Sequence, residues 1–319
     1  MNYILNRVLV ALITMFLVSV FCFLVFSVIR GDPASITAGM HVTPEYLAAL
    51  REDMGLNKNI PTRYFEWLSG LFSGNLGTSL RYQGESVSVL IKERLPVTFS
   101  LALFSLFFIL LISIPFSLLT VRREGSPLDR TVNFLTAAGI SMPSFFLGLL
   151  FIWIFGLSAR LFVPGVYIDY RESFSGFLGC LVFPALAIAI PNSAVMIKFL
   201  RGSLFQELKS DYVRTARSKG AGSLYILRRH VLKNAIIPAV TVFGMIVAEV
   251  FAGSIIVEQV FTIPGIGRLL ITAISSRDYP LIQTLLVYIA FIVVTANTLA
   301  DIVIMTIDPR IRPANRKTI

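Results

Sequence analysis

Six runs of 22 or more mostly apolar residues dominate this chain of 319: 8–29, 97–121, 133–157, 176–200, 235–257 and 281–307. Crossing a bilayer takes ~20 such residues as a helix. Inside lipid a helix satisfies its own backbone, whereas an open strand does not. No strand-like alternation of the kind a β-barrel needs is present. The expected fold is therefore all-α: a polytopic integral membrane protein with six transmembrane helices. The composition agrees, with only 14% charged residues against ~25% in soluble domains.

Lys and Arg in the connections set the orientation, because short cytoplasmic pieces carry the excess. With a cytoplasmic N-terminus, 17 of the 28 basic residues fall inside and 11 outside. The inside pieces then net +12, the outside pieces zero, and Glu249 and Asp301 lie within spans. The formal charge of +10 is thus explained by topology, without nucleic acid. Four parts follow: 1–29, a cytoplasmic end and first span; 30–96, an extracytoplasmic subdomain; 97–307, a five-helix core with a cytoplasmic loop at 201–234; and 308–319, a cytoplasmic tail. The first run is expected to be a retained span, because Ile29-Arg-Gly-Asp-Pro33 follows it where a small-residue cleavage site would be needed.

The outside segment is too long for a plain connection. Thr43 and Pro44 mark a helix start. A stretch from Tyr64 to Phe72 has an apolar face, and Gly74-Asn-Leu-Gly77 breaks the pattern. It is expected to lie on the membrane.

The segment 211–238 is strongly basic, with Arg214, Arg217, Lys219, Arg228, Arg229 and Lys233 against Asp211. Helical spacing upstream extends the fourth span into the cytoplasm. Gly220-Ala-Gly222 interrupts it. A second amphipathic stretch follows, with Leu224, Leu227 and Val231 on one face, and Pro238 reads as the first turn of the next span. The predicted shape is a helix–turn–helix knob. The plainer alternative is a basic loop resting on anionic lipid.

Glu249 and Asp301 sit in spans, where a central acid costs ~2.5–3.5 kcal/mol. Each either lines a pathway or makes a structural hydrogen bond; for Asp301, near a span end, the structural role is expected. Asn192, Asn234 and Asn297 read as inter-helix contacts, with Asn297 also a candidate for the pathway. Pro115, Pro143, Pro184 and Pro191 permit kinks. The stretch 261–269 is too short and broken to span.

Chemistry-bearing groups are sparse. Cys22 and Cys180 both lie in apolar runs, and His41 and His230 are far apart, so neither a metal site nor a Ser/His/Asp constellation is expected. No cofactor is implied. The chain has no G-x-x-x-x-G-K-[ST] loop, and hydrolysis of ATP is not expected of it.

Ala216-Arg-Ser-Lys-Gly220 followed by Arg229-His-Val-Leu-Lys-Asn-Ala-Ile-Ile-Pro238 resembles the "EAA" coupling loop of ABC importer permeases of the dipeptide/oligopeptide/nickel type. Further stretches match in order: Gly31-Asp-Pro33; Gly74-Asn-Leu-Gly-Thr-Ser79; Arg94-Leu-Pro-Val-Thr98; Phe261-Thr-Ile-Pro-Gly-Ile-Gly-Arg-Leu269; Arg277-Asp-Tyr-Pro280; Asn297-Thr-Leu-Ala-Asp301; and Asp308-Pro-Arg310. Arg214 and Thr215 depart from the general pattern, standing where it has Glu and Ala, and Pro238 lies farther from Gly220. The resemblance implies a type I importer permease fold in a bacterial or archaeal cytoplasmic membrane. It implies a second homologous permease chain, two ATP-binding subunits and an extracytoplasmic binding protein as partners. The loop would enter a groove on the ATPase, with Ala216 and Gly220 allowing close approach and Arg217 and Lys219 supplying charge; Arg214, Thr215, Gly222, Arg229 and Pro238 belong to the same coupling loop. The cargo would be a peptide or a related solute such as a nickel chelate or an opine. The competing reading is a secondary transporter or channel using Glu249 or Asp301.

Overall fold

A computed structural model describes residues 2–28, 43–53, 57–82 and 84–307. Gly31-Asp-Pro33, His41, Asp308-Pro-Arg310 and the 308–319 tail lie outside the described residues. The described residues form helices, with one isolated β-bridge between Thr78 and Ser86.

The helices are α1 (Asn2–Val28), α2 (Pro44–Asp53), α3 (Ile60–Ser73), α4 (Val87–Arg122), α5 (Pro127–Ser141), α6 (Ser144–Ser158), α7 (Phe174–Leu208), α8 (Asp211–Ser218), α9 (Ser223–Val260), α10 (Ile266–Ser275) and α11 (Tyr279–Ile307). Five of them, α1, α4, α7, α9 and α11, are long and apolar enough to cross a membrane. The sixth apolar run is not one helix. It breaks into α5 and α6, bent by 104°. The break has a local cause. Pro143 cannot donate to the helix and pushes the residue before it out of the helical region. Met142 accordingly adopts φ −97°, ψ 120°, and Pro143 itself is extended.

Helix α4 begins ten residues before the expected span. Arg94-Leu-Pro-Val-Thr98 is therefore helical rather than part of an outer loop. It packs along α7, which in turn packs on α9. Their facing residues form the main core, with Leu101, Ile109, Leu181, Ile188, Leu200, Ile246 and Val250 almost fully buried. Gly139 lets α5 approach α7 closely; a β-carbon there would sit 3.0 Å from Ala194. A smaller second core gathers Val87, Leu90 and Ile91 of α4, Ile266, Leu269 and Ala273 of α10, and Leu281 and Leu285 of α11. Chain order puts this second core at the end of the bundle opposite α8.

Helix α1 is peripheral. It contacts α11 and α3, and Leu5, Leu12, Phe16 and Phe21 are exposed as lipid-facing side chains are. The apolar face of α3 is used against α1. Tyr64 stands edge-on to Phe23, and its hydroxyl lies 2.9 Å from the Ser19 hydroxyl. Pro44 opens α2, as the sequence suggested.

Candidate functional site

The basic segment is a knob whose anchoring and display faces are distinct. Helix α7 runs on to Leu208, so Arg201 lies within it and the connection is shorter than 201–234. Helix α8 ends at Gly220, whose φ of +80° is the left-handed conformation glycine adopts without strain. Gly220 N donates to Arg217 O (2.9 Å) and Ala221 N to Ala216 O (3.2 Å), closing the helix end. A β-carbon at Gly220 or Gly222 would touch nothing within 4 Å, so conformation alone constrains Gly220.

Val213, Ile226, Leu227 and Val231 are buried and hold the knob to the bundle. Arg214, Thr215, Arg217, Lys219, Gly220, Gly222 and Arg229 are exposed, and Ala216 is half-buried. The expected apolar face is corrected in one place: Leu224 is exposed, and Ile226 takes its role. A π-helical turn at Leu227–Val231 explains the shift, because its i→i+5 period puts Ile226 and Val231 on one side. Pro238 is not in a first turn. Helix α9 is continuous from Ser223 to Val260, and Pro238 lies inside it. Burial and a 2.7 Å hydrogen bond from its hydroxyl to Glu207 Oε2 hold the Tyr212 phenol above its usual pKa.

The polar residues of the spans separate. Glu249, midway along α9, is exposed, with Met245, Ala252 and Ile256 on the same outward stripe. Asn297 on α11 is also exposed. Asp301 pairs with Arg7 at 3.2 Å, tying α11 to α1. Asn192 is buried and donates to Ile188 O at 2.9 Å. Among the described residues no group of three or more His, Cys, Asp or Glu side chains could hold a metal.

Three carboxylates that fall in the connections between the apolar runs are buried. Glu258, near the end of α9, is 0% exposed. Thr98 Oγ1 of α4 donates to its Oε1 (2.7 Å), and Gly267 N (2.7 Å) and Arg268 N (3.2 Å) donate to Oε2. The carboxylate thus sits on the first turn of α10, where free N–H groups favour negative charge. The two glycines of Pro264-Gly-Ile-Gly267 make this possible. A β-carbon at Gly265 would fall 2.3 Å from the Glu258 carboxyl carbon, and one at Gly267 2.3 Å from the Ile255 α-carbon. The paired glycines were the visible signal; their partner was not.

Asp278, also 0% exposed, accepts from the Ser79 hydroxyl, Arg81 N (3.2 Å) and Leu281 N (3.4 Å). At the α8 end, Asp129 is 5% exposed and meets Arg201 Nη2 at 2.9 Å, Asn133 Nδ2 at 3.0 Å and Gly125 N at 3.1 Å. Arg201 also donates to Asn133 Oδ1 and stacks over Phe205, joining α5 to α7.

Comparison with known proteins identifies the architecture. The family of binding-protein-dependent transport system inner membrane components matches residues 110–313, and its N-terminal part matches 1–102. The chain belongs to this family. Among its relatives are the probable peptide ABC transporter permease protein y4tP of Sinorhizobium fredii (36% identical, covering 97% of this chain and 99% of that one) and the oligopeptide transport system permease protein AppB of Bacillus subtilis (33% identical, 97% and 98%). A solved structure of the MetNI methionine ABC transporter in an inward-facing conformation shares the fold, with a TM-score of 0.56 and 19% identity over 69% of this chain and 96% of that one. As an ABC importer permease of the inner membrane, the chain is a transport subunit and not an enzyme. ATP hydrolysis in such importers resides in partner subunits.

Proposed function

We propose that this chain forms half of the translocation pathway of an ATP-driven, binding-protein-dependent importer of peptides or a related small solute, paired with a second homologous permease chain. Of the two ATP-binding subunits, one docks on α8 and its flanking glycines, and the other on the second permease chain. The extracytoplasmic binding protein docks at the opposite face, near 30–96 and α10. The termini and α8 are cytoplasmic, which accords with the basic excess on that side. Glu249 and Asn297 face the pathway or the second permease chain.

The observation that carries this reading is the knob itself. Its anchoring side chains are buried, while Arg214, Arg217 and Lys219 are exposed. Because these three are exposed, their replacement leaves folding intact. The test is Arg217→Glu with Lys219→Glu. The expected result is a normally inserted chain that loses its ATP-binding subunit on purification, or a complex that hydrolyses ATP without uptake. Full retention of both subunits together with wild-type uptake would sink the docking role.

A further inference from the structure

Helix α9 starts in the knob, immediately after Gly222, and runs for 38 residues. At the usual rise this is a rod about 57 Å long. Its far end does not finish in a free loop. Phe261 and Ile263 are buried, Thr262 is held at φ +62°, and Arg268 Nη1 donates back to Thr262 O at 2.6 Å. The chain then turns directly into α10, whose first N–H groups lie on the Glu258 carboxylate of α9.

The donor set around Glu258 selects a carboxylate. One hydroxyl and two backbone N–H groups converge on its two oxygens. An ionised carboxyl group is acceptor-only, so every contact is matched. A glutamine would turn an NH2 group toward one of these donors. The Thr98 hydroxyl is committed on both sides, since it also accepts from Ile266 N at 2.9 Å. No slack separates the helices either, since neither Gly265 nor Gly267 has room for a methyl group. At its other end α10 leads into Asp278, which holds the Ser79–Arg81 turn.

We infer that Glu258 is a positioning residue for transport: it fixes α10 to α9 and α4, so that movement imposed on the knob is delivered along α9 to α10 at the opposite face. This rests on the importer reading proposed above. A carboxylate that only stabilised the fold would leave the ratio of ATP hydrolysed to solute moved unchanged.

The assembled importer in proteoliposomes, with labelled trialanine as the probe, tests this. Glu258→Gln and Thr98→Val are expected to retain the ATP-binding subunits and to hydrolyse ATP at the wild-type rate or faster. Uptake should fall about tenfold, within the usual range of coupling between two sites. A proportional fall in hydrolysis and uptake, or no change in either, overturns the role. Melting of the purified chain checks the contact independently of transport. Gly265→Ala drives a methyl group into Glu258, so its effect should shrink markedly when combined with Glu258→Ala. Strict additivity overturns the clasp. A wild-type complex that itself accumulates no trialanine under ATP overturns the peptide-importer reading and this role with it. That outcome is recognised because the unaltered chain fails, while the melting cycle still reports on the clasp.

Discussion

Ser79 and Asp278, 199 residues apart in the sequence, share a buried hydrogen bond that ties the turn before α4 to the turn before α11. The same carboxylate accepts from Arg81 N and Leu281 N, so three donors from two segments depend on it. Asp278→Ala leaves the buried Ser79 and Leu281 donors and the part-buried Arg81 N without this acceptor. It should destabilise the chain by roughly 2–4 kcal/mol, since each unmet buried donor costs about 1–3 kcal/mol and part of the turn can relax to water. Ser79→Ala removes one donor to Asp278 and the acceptor of Tyr82 N (3.1 Å), and should cost about 1–2 kcal/mol. Thermal melts in detergent would rank the two, and equal effects would contradict the central place of Asp278.

The Asp129–Arg201 pair makes an asymmetric prediction. Asp129 is 5% exposed, and only Asn133 and Gly125 N would remain to it if Arg201 were lost. The Arg201 side chain is 24% exposed and can turn toward water. Arg201→Met should therefore destabilise by about 3 kcal/mol, as expected for a stranded buried charge. Asp129→Asn, which keeps an acceptor, should cost less. The order of the two melting temperatures decides the matter.

Two glycines should respond differently to alanine. At Gly220 the methyl group meets nothing, and only the left-handed backbone resists, so Gly220→Ala should cost about 1 kcal/mol. At Gly267 the methyl group would meet the Ile255 backbone, which cannot swing aside. Gly267→Ala should exceed Gly220→Ala by about 1–3 kcal/mol, the usual effect of overpacking. Denaturation of the two variants side by side is the check.

Tyr167 lies in the connection between α6 and α7, edge-on to Phe177, and burial followed by the nearby Asp169 pushes its phenol up to about 12. The unfolded phenol titrates near ~10. A raised folded pKa favours the neutral form, so this contribution to stability is complete below about 10 and fades as pH rises through about 12. Tyr167→Phe should flatten the alkaline limb of the stability profile. Ultraviolet titration of wild type and variant would read the phenol directly, and a wild-type phenol titrating near its ordinary value would contradict the burial argument.

Glu249 carries no hydrogen bond or ion pair to any described residue, so Glu249→Gln should leave the melting temperature of the isolated chain within a degree or so of wild type. In the assembled importer the same change should slow uptake of a cationic peptide more than that of a neutral one of equal length. Equal uptake of both would remove Glu249 from the pathway.

Most of the scaffold was legible because apolar length and the placement of Lys and Arg are direct readouts of a bilayer. The knob was legible because glycine marks helix ends. Three features were not. The 104° bend at Pro143 depends on extended backbone at both Met142 and Pro143, whereas a proline inside an apolar run equally permits a gentle kink. The π-helical turn moved one position of the buried face, because hydrophobic periodicity assumes 3.6 residues per turn. Glu258 and Asp278 looked like outer charges because their partners are backbone N–H groups and hydroxyls, which leave no complementary charge in the sequence. The separate motifs around Ser79, Thr98, Gly265 and Asp278 gain a common explanation once they are seen to meet.

The pairing of α1 with α11 also bears on how the protein is made. Arg7 waits for Asp301, and Phe26 waits for Tyr279. Synthesis of the roughly 250–290 intervening residues at ~5–20 residues per second takes about 13–60 s. Throughout that interval α1 stands in the bilayer with Asp301 and Tyr279 not yet translated. Assembly of the bundle therefore closes late, and a ribosome stalled before α11 would leave a membrane-inserted but open chain for quality control to remove.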